Sequence, residues 1–205
     1  MEFNLSLPVL LLLLGFIFTL LFGGLSLMRR EGLSAHFAVE AVVLTVVASG
    51  LTALLGYPTH PILFLSLLYL ITMRGRLIVD LGNFFAQRRD FARAEQFYHL
   101  AESLWPDSTT RLIVQVNRGT MCVQQGALDE AITIFKGLLQ KAEQRYLGVK
   151  YETAAHYNLG VAFLRKQMEA QATVEFNIVL DLLPTSVHAH RAEAALEKLR
   201  HKDKP

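Results

Sequence analysis

From Leu5 to Met28 the chain runs 24 residues without a charge, mostly leucine and phenylalanine. At about 1.5 Å rise per residue, such a run crosses a hydrocarbon layer of about 30 Å with some tilt, and a helix is the form that satisfies its backbone there. A cleaved signal peptide would open with basic residues and close on a small-residue cleavage site. This run opens Met-Glu-Phe-Asn and ends Ser-Leu-Met-Arg-Arg, so it is expected to be retained. A second uncharged run, Ala41 to Met73, is cut by Tyr57-Pro58-Thr59-His60-Pro61, whose prolines remove helical hydrogen bonds and mark a turn. The sequence therefore predicts a membrane domain over 1–73, with spans near 5–28, 35–56 and 57–73. The third span is short unless Arg74 and Arg76 reach back along the interface or its helix runs on past Gly75.

Charge divides the chain at the same place. Residues 1–73 hold five charged side chains, whereas residues 74–205 hold 18 basic and 15 acidic ones. The net charge of +2, with both signs interspersed after residue 74, argues against a nucleic-acid partner. The single cysteine, Cys122, excludes an internal disulfide and every multi-cysteine metal centre. Arg29 and Arg30 separate the first two spans and Arg74 and Arg76 follow the third, while the 57–61 turn has no lysine or arginine. By the positive-inside rule the N-terminus lies outside and residues 74–205 face the cytoplasm.

Small residues recur every four positions, as Gly15, Thr19 and Gly23 in the first span and as Ala41, Thr45, Ser49 and Ala53 in the second. That spacing lets helix backbones approach closely, either among the three spans, the favoured reading, or across a homo-oligomer. Glu40 follows His36 by one helical turn. With no ionisable group between Ala41 and Met73 except His60, an interfacial pairing of Glu40 with His36 or an arginine is preferred over a proton relay.

The second half repeats itself. Leu81, Gly82, Phe85, Ala94, Tyr98, Ala101 and Pro106 recur at fixed offsets as Leu159, Gly160, Phe163, Ala172, Phe176, Val179 and Pro184, and Gly119, Cys122, Gly126, Ala131, Phe135 and Leu138 form a unit between them. These offsets resemble those of the tetratricopeptide repeat superfamily. The resemblance covers 75 to about 201 and implies an all-α chain, in which transmembrane helices precede a right-handed α-solenoid of three helix pairs. The repeats fall at about 75–108, 112–148 and 153–186, with a capping helix over 186–201 started by Thr185 or Ser186. Small residues would admit close helix packing, aromatic rings would fill the layer between repeats and proline would stop each second helix. Gly119 precedes Gly160 by 41 residues, against a common period of 34, so the middle unit has either longer helices with a ridge around Gln144 to Lys150 or a loop at Gly148.

In that superfamily the first helix of each pair lines a concave groove. The matching positions are Arg76, Val79, Asn83 and Ala86; Ile113, Val116, Thr120 and Val123; and Ala154, Tyr157, Val161 and Leu164. Asn83 and Asn117 match the two asparagines with which chaperone adaptors of the family hold a C-terminal carboxylate, but Val79, Ala154 and Asn158 replace the basic residues of that clamp. The mainly apolar floor fits a helix or apolar strip of a protein partner, or the chain's own last helix. Arg88, Arg89 and Arg93 read as a solvated turn in preference to a headgroup site, and His188, His190 and His201 lack the spacing of a metal shell. No phosphate loop, nucleophile elbow or carboxylate pair stands out, so no enzyme activity and no cofactor are expected. The architecture resembles that of bacterial inner-membrane scaffolds. A subunit or assembly factor of an integral membrane complex, binding partners through its spans, is the alternative.

Overall fold

In the computed structural model, residues 6–28, 34–56, 58–144 and 148–202 are described; Arg29 and Arg30, Tyr57, and the 145–147 part of the expected ridge lie outside them. The described residues form nine helices and no strand: α1 Leu7–Met28, α2 Ala35–Leu55, α3 Pro61–Gln87, α4 Phe91–Ser103, α5 Ser108–Gln125, α6 Leu128–Gln144, α7 Val149–Arg165, α8 Glu169–Leu182 and α9 Val187–Lys202. α1, α2 and α3 are each long and apolar enough to cross a membrane.

Local chemistry sets the ends. Ser34, Asp90 and Asp107 cap α2, α4 and α5 by accepting from the backbone N–H three residues on, and the Ser186 hydroxyl does the same for α9 through Ala189. Pro61 opens α3, where its missing N–H costs nothing. Gly56 and Gly126 close α2 and α5 in the left-handed conformation, with φ of 65° and 83°.

The third helix does run on past Gly75, unbroken from Pro61 to Gln87. Its 27 residues span about 40 Å, so the third membrane helix and the first helix of the repeating half are one rod. The weakest helix formers between Pro61 and Gln87 are Gly75 and Gly82, and both are needed for close packing: a Cβ on Gly75 would lie 2.9 Å from the Thr110 methyl of α5. α4 then folds back antiparallel along α3, and the following helices continue as pairs.

Three buried clusters follow this order. Leu11, Phe18, Ala41, Phe64 and Leu68 join α1, α2 and α3. Val79, Ala94, Tyr98, Val114 and Met121 join α3, α4 and α5. The largest runs from α5 to α9 through Phe135, Leu159, Phe176 and Leu196. Each helix packs on its successor, and α3, α5, α7 and α9 also touch one another in series.

Within each pair one contact recurs. A Cβ on Gly82 would meet the Tyr98 ring at 2.5 Å, one on Gly119 the Phe135 ring at 2.6 Å, and one on Gly160 the Phe176 ring at 2.7 Å. The three rings are fully buried, and Ala94, Ala131 and Ala172 lie one turn before them, also fully buried. Each ring thus sits on the glycine of its own helix pair. Arg118 stands where Leu81 and Leu159 stand in the other units. It reaches back to Glu95 and Glu102 of α4 at 2.7 Å each; burial opposes its charge, but both carboxylates hold its pKa above the usual guanidinium range.

Candidate protein-interaction site

The sequence-derived groove divides into three groups. Val79 is 1% exposed inside the α3–α5 core and Val116 is 8% exposed inside the larger one, so neither forms an accessible floor; Ala86, Val123 and Ala154 are buried with them. The reason is the serial contact of α3, α5 and α7, which closes over these positions. A second group is occupied by the chain itself. Asn83 accepts from the Tyr98 hydroxyl at 2.8 Å, and burial, reinforced by Glu95, pushes the Tyr98 pKa up to about 12, so the phenol stays a donor. Tyr157 lies with its ring centroid 5.0 Å from that of His188, so α9 covers this part of the groove. The remaining positions, Arg76, Ile113, Asn117, Thr120, Val161 and Leu164, are half-buried. The Asn117 side-chain nitrogen is buried without a hydrogen-bond partner.

The membrane stripe is shifted in one place. Ala41, Thr45 and Ser49 are buried, as is Gly15, where a Cβ would lie 2.1 Å from the Thr45 hydroxyl; Ser49 donates to the Pro8 carbonyl at 2.8 Å. Thr19 and Gly23 are half-buried. Ala53 is exposed, and Thr52 takes its place, sharing a 2.8 Å hydrogen bond with Thr59. A strict four-residue step drifts by roughly 40° per turn, so a buried face must shorten one step to three.

Where the two halves meet, Arg74 ties three segments together. Its Nη1 donates to Glu40 Oε1 and to the Ile71 carbonyl at 2.6 Å each, Nε to the Leu104 carbonyl at 3.1 Å and Nη2 to the Trp105 carbonyl at 3.3 Å. Glu40 is also 3.9 Å from His36, and the His36 ring stands edge-on to Trp105 at 5.0 Å. Trp105, in the α4–α5 turn, is 74% exposed and has a φ of 52°. Sequence reading placed Glu40 with His36 or an arginine but left Trp105 unread, because the three segments share no spacing. The one usable signal was a lone tryptophan beside the proline that ends α4.

The arginines of the α3–α4 turn lie elsewhere. Arg88 covers the Phe84 ring at 4.0 Å, and Arg93 pairs with Asp90 at 3.4 Å. Although close in sequence to the membrane, they sit about 20 Å farther along α3 than Arg74. Burial, reinforced by Glu130, pushes the Cys122 thiol up to about 11, which leaves it a packed and unreactive group. Among the described residues, no three His, Cys, Asp or Glu side chains converge on a metal position. No protein-family model, curated protein or solved structure matches this chain.

Proposed function

We propose that the protein is a non-enzymatic, membrane-tethered scaffold in which a right-handed tetratricopeptide-type solenoid binds a protein partner at the cytoplasmic face of a bacterial inner membrane. The observation that carries this reading is the glycine-to-ring contact made three times, by Gly82, Gly119 and Gly160, each with a ring sixteen residues on. A contact devoted to packing in every pair suits a repeating surface for binding. The positive-inside bias of Arg29, Arg30, Arg74 and Arg76 supports the cytoplasmic placement. The partner face is narrower than the sequence suggested and centres on Ile113, Asn117, Thr120, Val161 and Leu164, the groove positions that stay half-buried.

One observation favours the alternative, in which the spans make the main partner contacts. Between α1 and α3 lies an open apolar groove of about 630 Å³, lined by Ile17, Leu21, Phe22, Leu65 and Tyr69 among others, and wide enough for a side-chain row of another helix. Photo-crosslinking amino acids at Thr120 and, separately, at Leu21 in the full-length protein separate the readings. A protein adduct from Thr120 in native membranes is the expected result. Adducts from Leu21 alone would move the interaction into the membrane and defeat the solenoid as the binding part.

A further inference from the structure

The third span presents a problem that the structure resolves with a segment from the other half. The apolar part of α3, from Pro61 to Met73, is about 20 Å long, short of a hydrocarbon core of about 30 Å, and Arg74 follows at once. A guanidinium at that depth needs partners for its donors, and four contacts supply them: Glu40, Ile71, Leu104 and Trp105. Two of these are backbone carbonyls of the α4–α5 turn. The turn is thereby held beside α2, because the same arginine is paired with Glu40 at 2.6 Å.

The side chains of that turn then face the surroundings of α2. Trp105 borders a recess of about 510 Å³ together with Val39, Val43 and Leu44. Val39 is 63% and Val43 53% exposed, and they lie on the outer side of a helix long and apolar enough to span a bilayer. Val43 is about 12 Å along the axis from the start of α2 at Ala35, so the recess reaches into the depth where headgroups give way to acyl chains. The surface around Trp105 is continuous with the lipid-facing surface of the span. Because Arg74 takes the carbonyls of Leu104 and Trp105, those two backbone acceptors are paired where the turn enters that zone.

We infer that the α4–α5 turn is an interfacial membrane anchor: Trp105, backed by Leu104, inserts at the cytoplasmic headgroup boundary, with phospholipid acyl chains filling the recess against Val39 and Val43. An indole suits this position, since its ring is apolar and its N–H can face the headgroups. The solenoid would then lie fixed against the bilayer at two places, the α3 rod and this turn, rather than swing on one helix. This inference rests on the reading of α1 to α3 as membrane spans, and goes beyond the scaffold reading, which needs only a tether.

Because the chain contains one tryptophan, fluorescence excited beyond the tyrosine absorption band reports on Trp105 alone, without mutation. The full-length protein is reconstituted into phosphatidylcholine vesicles whose acyl chains carry bromine either near the headgroup or near the terminal methyl. Orientation in the vesicle does not matter, since both leaflets are brominated. The expected result is emission lowered about twofold or more by the headgroup-proximal bromines, weaker loss with the methyl-end bromines, and little quenching by aqueous acrylamide. Protein that floats with the vesicles but is quenched by acrylamide and not by bromine would overturn the anchor alone. Protein that fails to float would overturn the spanning reading, and the anchor with it.

Discussion

Both halves of the molecule bring helices together at glycine, but they set different groups against it. In the membrane half Gly15 meets Thr45, a small side chain whose hydroxyl returns to its own helix at Ala41, 2.7 Å away. In the other half Gly82, Gly119 and Gly160 meet the rings of Tyr98, Phe135 and Phe176. The difference follows from the solvent. Burying a ring away from water is strongly favourable, so a notch that accepts one is worth making. Lipid tails offer no such reward, and helices there gain by close approach, small side chains and internally satisfied hydroxyls. Arg74, Glu40 and the 104–105 turn form the seam where the two rules meet.

The largest test of this contrast empties a notch on the water-facing side. Phe135 is fully buried, and Phe135→Ala is expected to cost about 3–5 kcal/mol, read as a loss of cooperative helical melting in circular dichroism of the full-length protein in detergent. If the loss were below about 1 kcal/mol, the ring would not be the organising contact of the pair.

The residues of this contact were legible in sequence, but not that each ring would rest on the glycine of its own pair. Glycine, alanine and ring stand at short fixed offsets on adjacent helices, so a local pattern marked the residues of a tertiary contact. Longer-range features were not legible in that way. Val79 and Val116 sit at groove positions by register, yet are buried because α3, α5 and α7 close on one another. Whether α9 would cover Tyr157 depended on how it docks, which no spacing encodes. The Arg74 junction joins residues near 40, 74 and 105, and only fragments of it show in one dimension: the His36–Glu40 spacing and the lone Trp105 beside Pro106. The small-residue stripe was legible except at Ala53, where helical drift moves the face to Thr52.

A middle-sized effect sharpens the comparison from the membrane side. Gly15→Ala places a methyl on the Thr45 side chain and is expected to cost about 1–3 kcal/mol, measured as a shift of the denaturation midpoint in an SDS titration. Gly24→Ala and Gly50→Ala, where nothing lies within 4 Å, should leave that midpoint nearly unchanged. Adding Thr45→Gly to Gly15→Ala should recover part of the loss, because it removes every Thr45 side-chain atom that crowds the new methyl, the Cβ at 2.7 Å included. A failure to recover would mean that Thr45 contributes through its shape or its bond to Ala41, and that the membrane half is packed as specifically as the rings.

The smallest effect concerns the edge of the water-facing half, where α9 lays His188 over Tyr157. Burial lowers the His188 pKa from its ordinary 6.5, and Arg191 adds to the shift; its Nδ1 is buried without a partner. The unfolded chain therefore binds a proton more readily than the folded one, so stability rises with pH between the folded-state pKa and 6.5 and levels off above it. As pH falls below 6.5, protonation should loosen α9 first, since it closes the end of the stack and packs chiefly on α7 and α8. Amide hydrogen exchange of residues 187–200, followed by mass spectrometry at pH values on either side of 6.5 and corrected for intrinsic exchange, should show protection falling there while Phe135 and its neighbours stay protected. In His188→Phe, which keeps a ring against Tyr157 without a titrating nitrogen, that fall should disappear. If it persists, proton uptake elsewhere in the stack is responsible, and the covering of the groove by α9 is not governed by this contact.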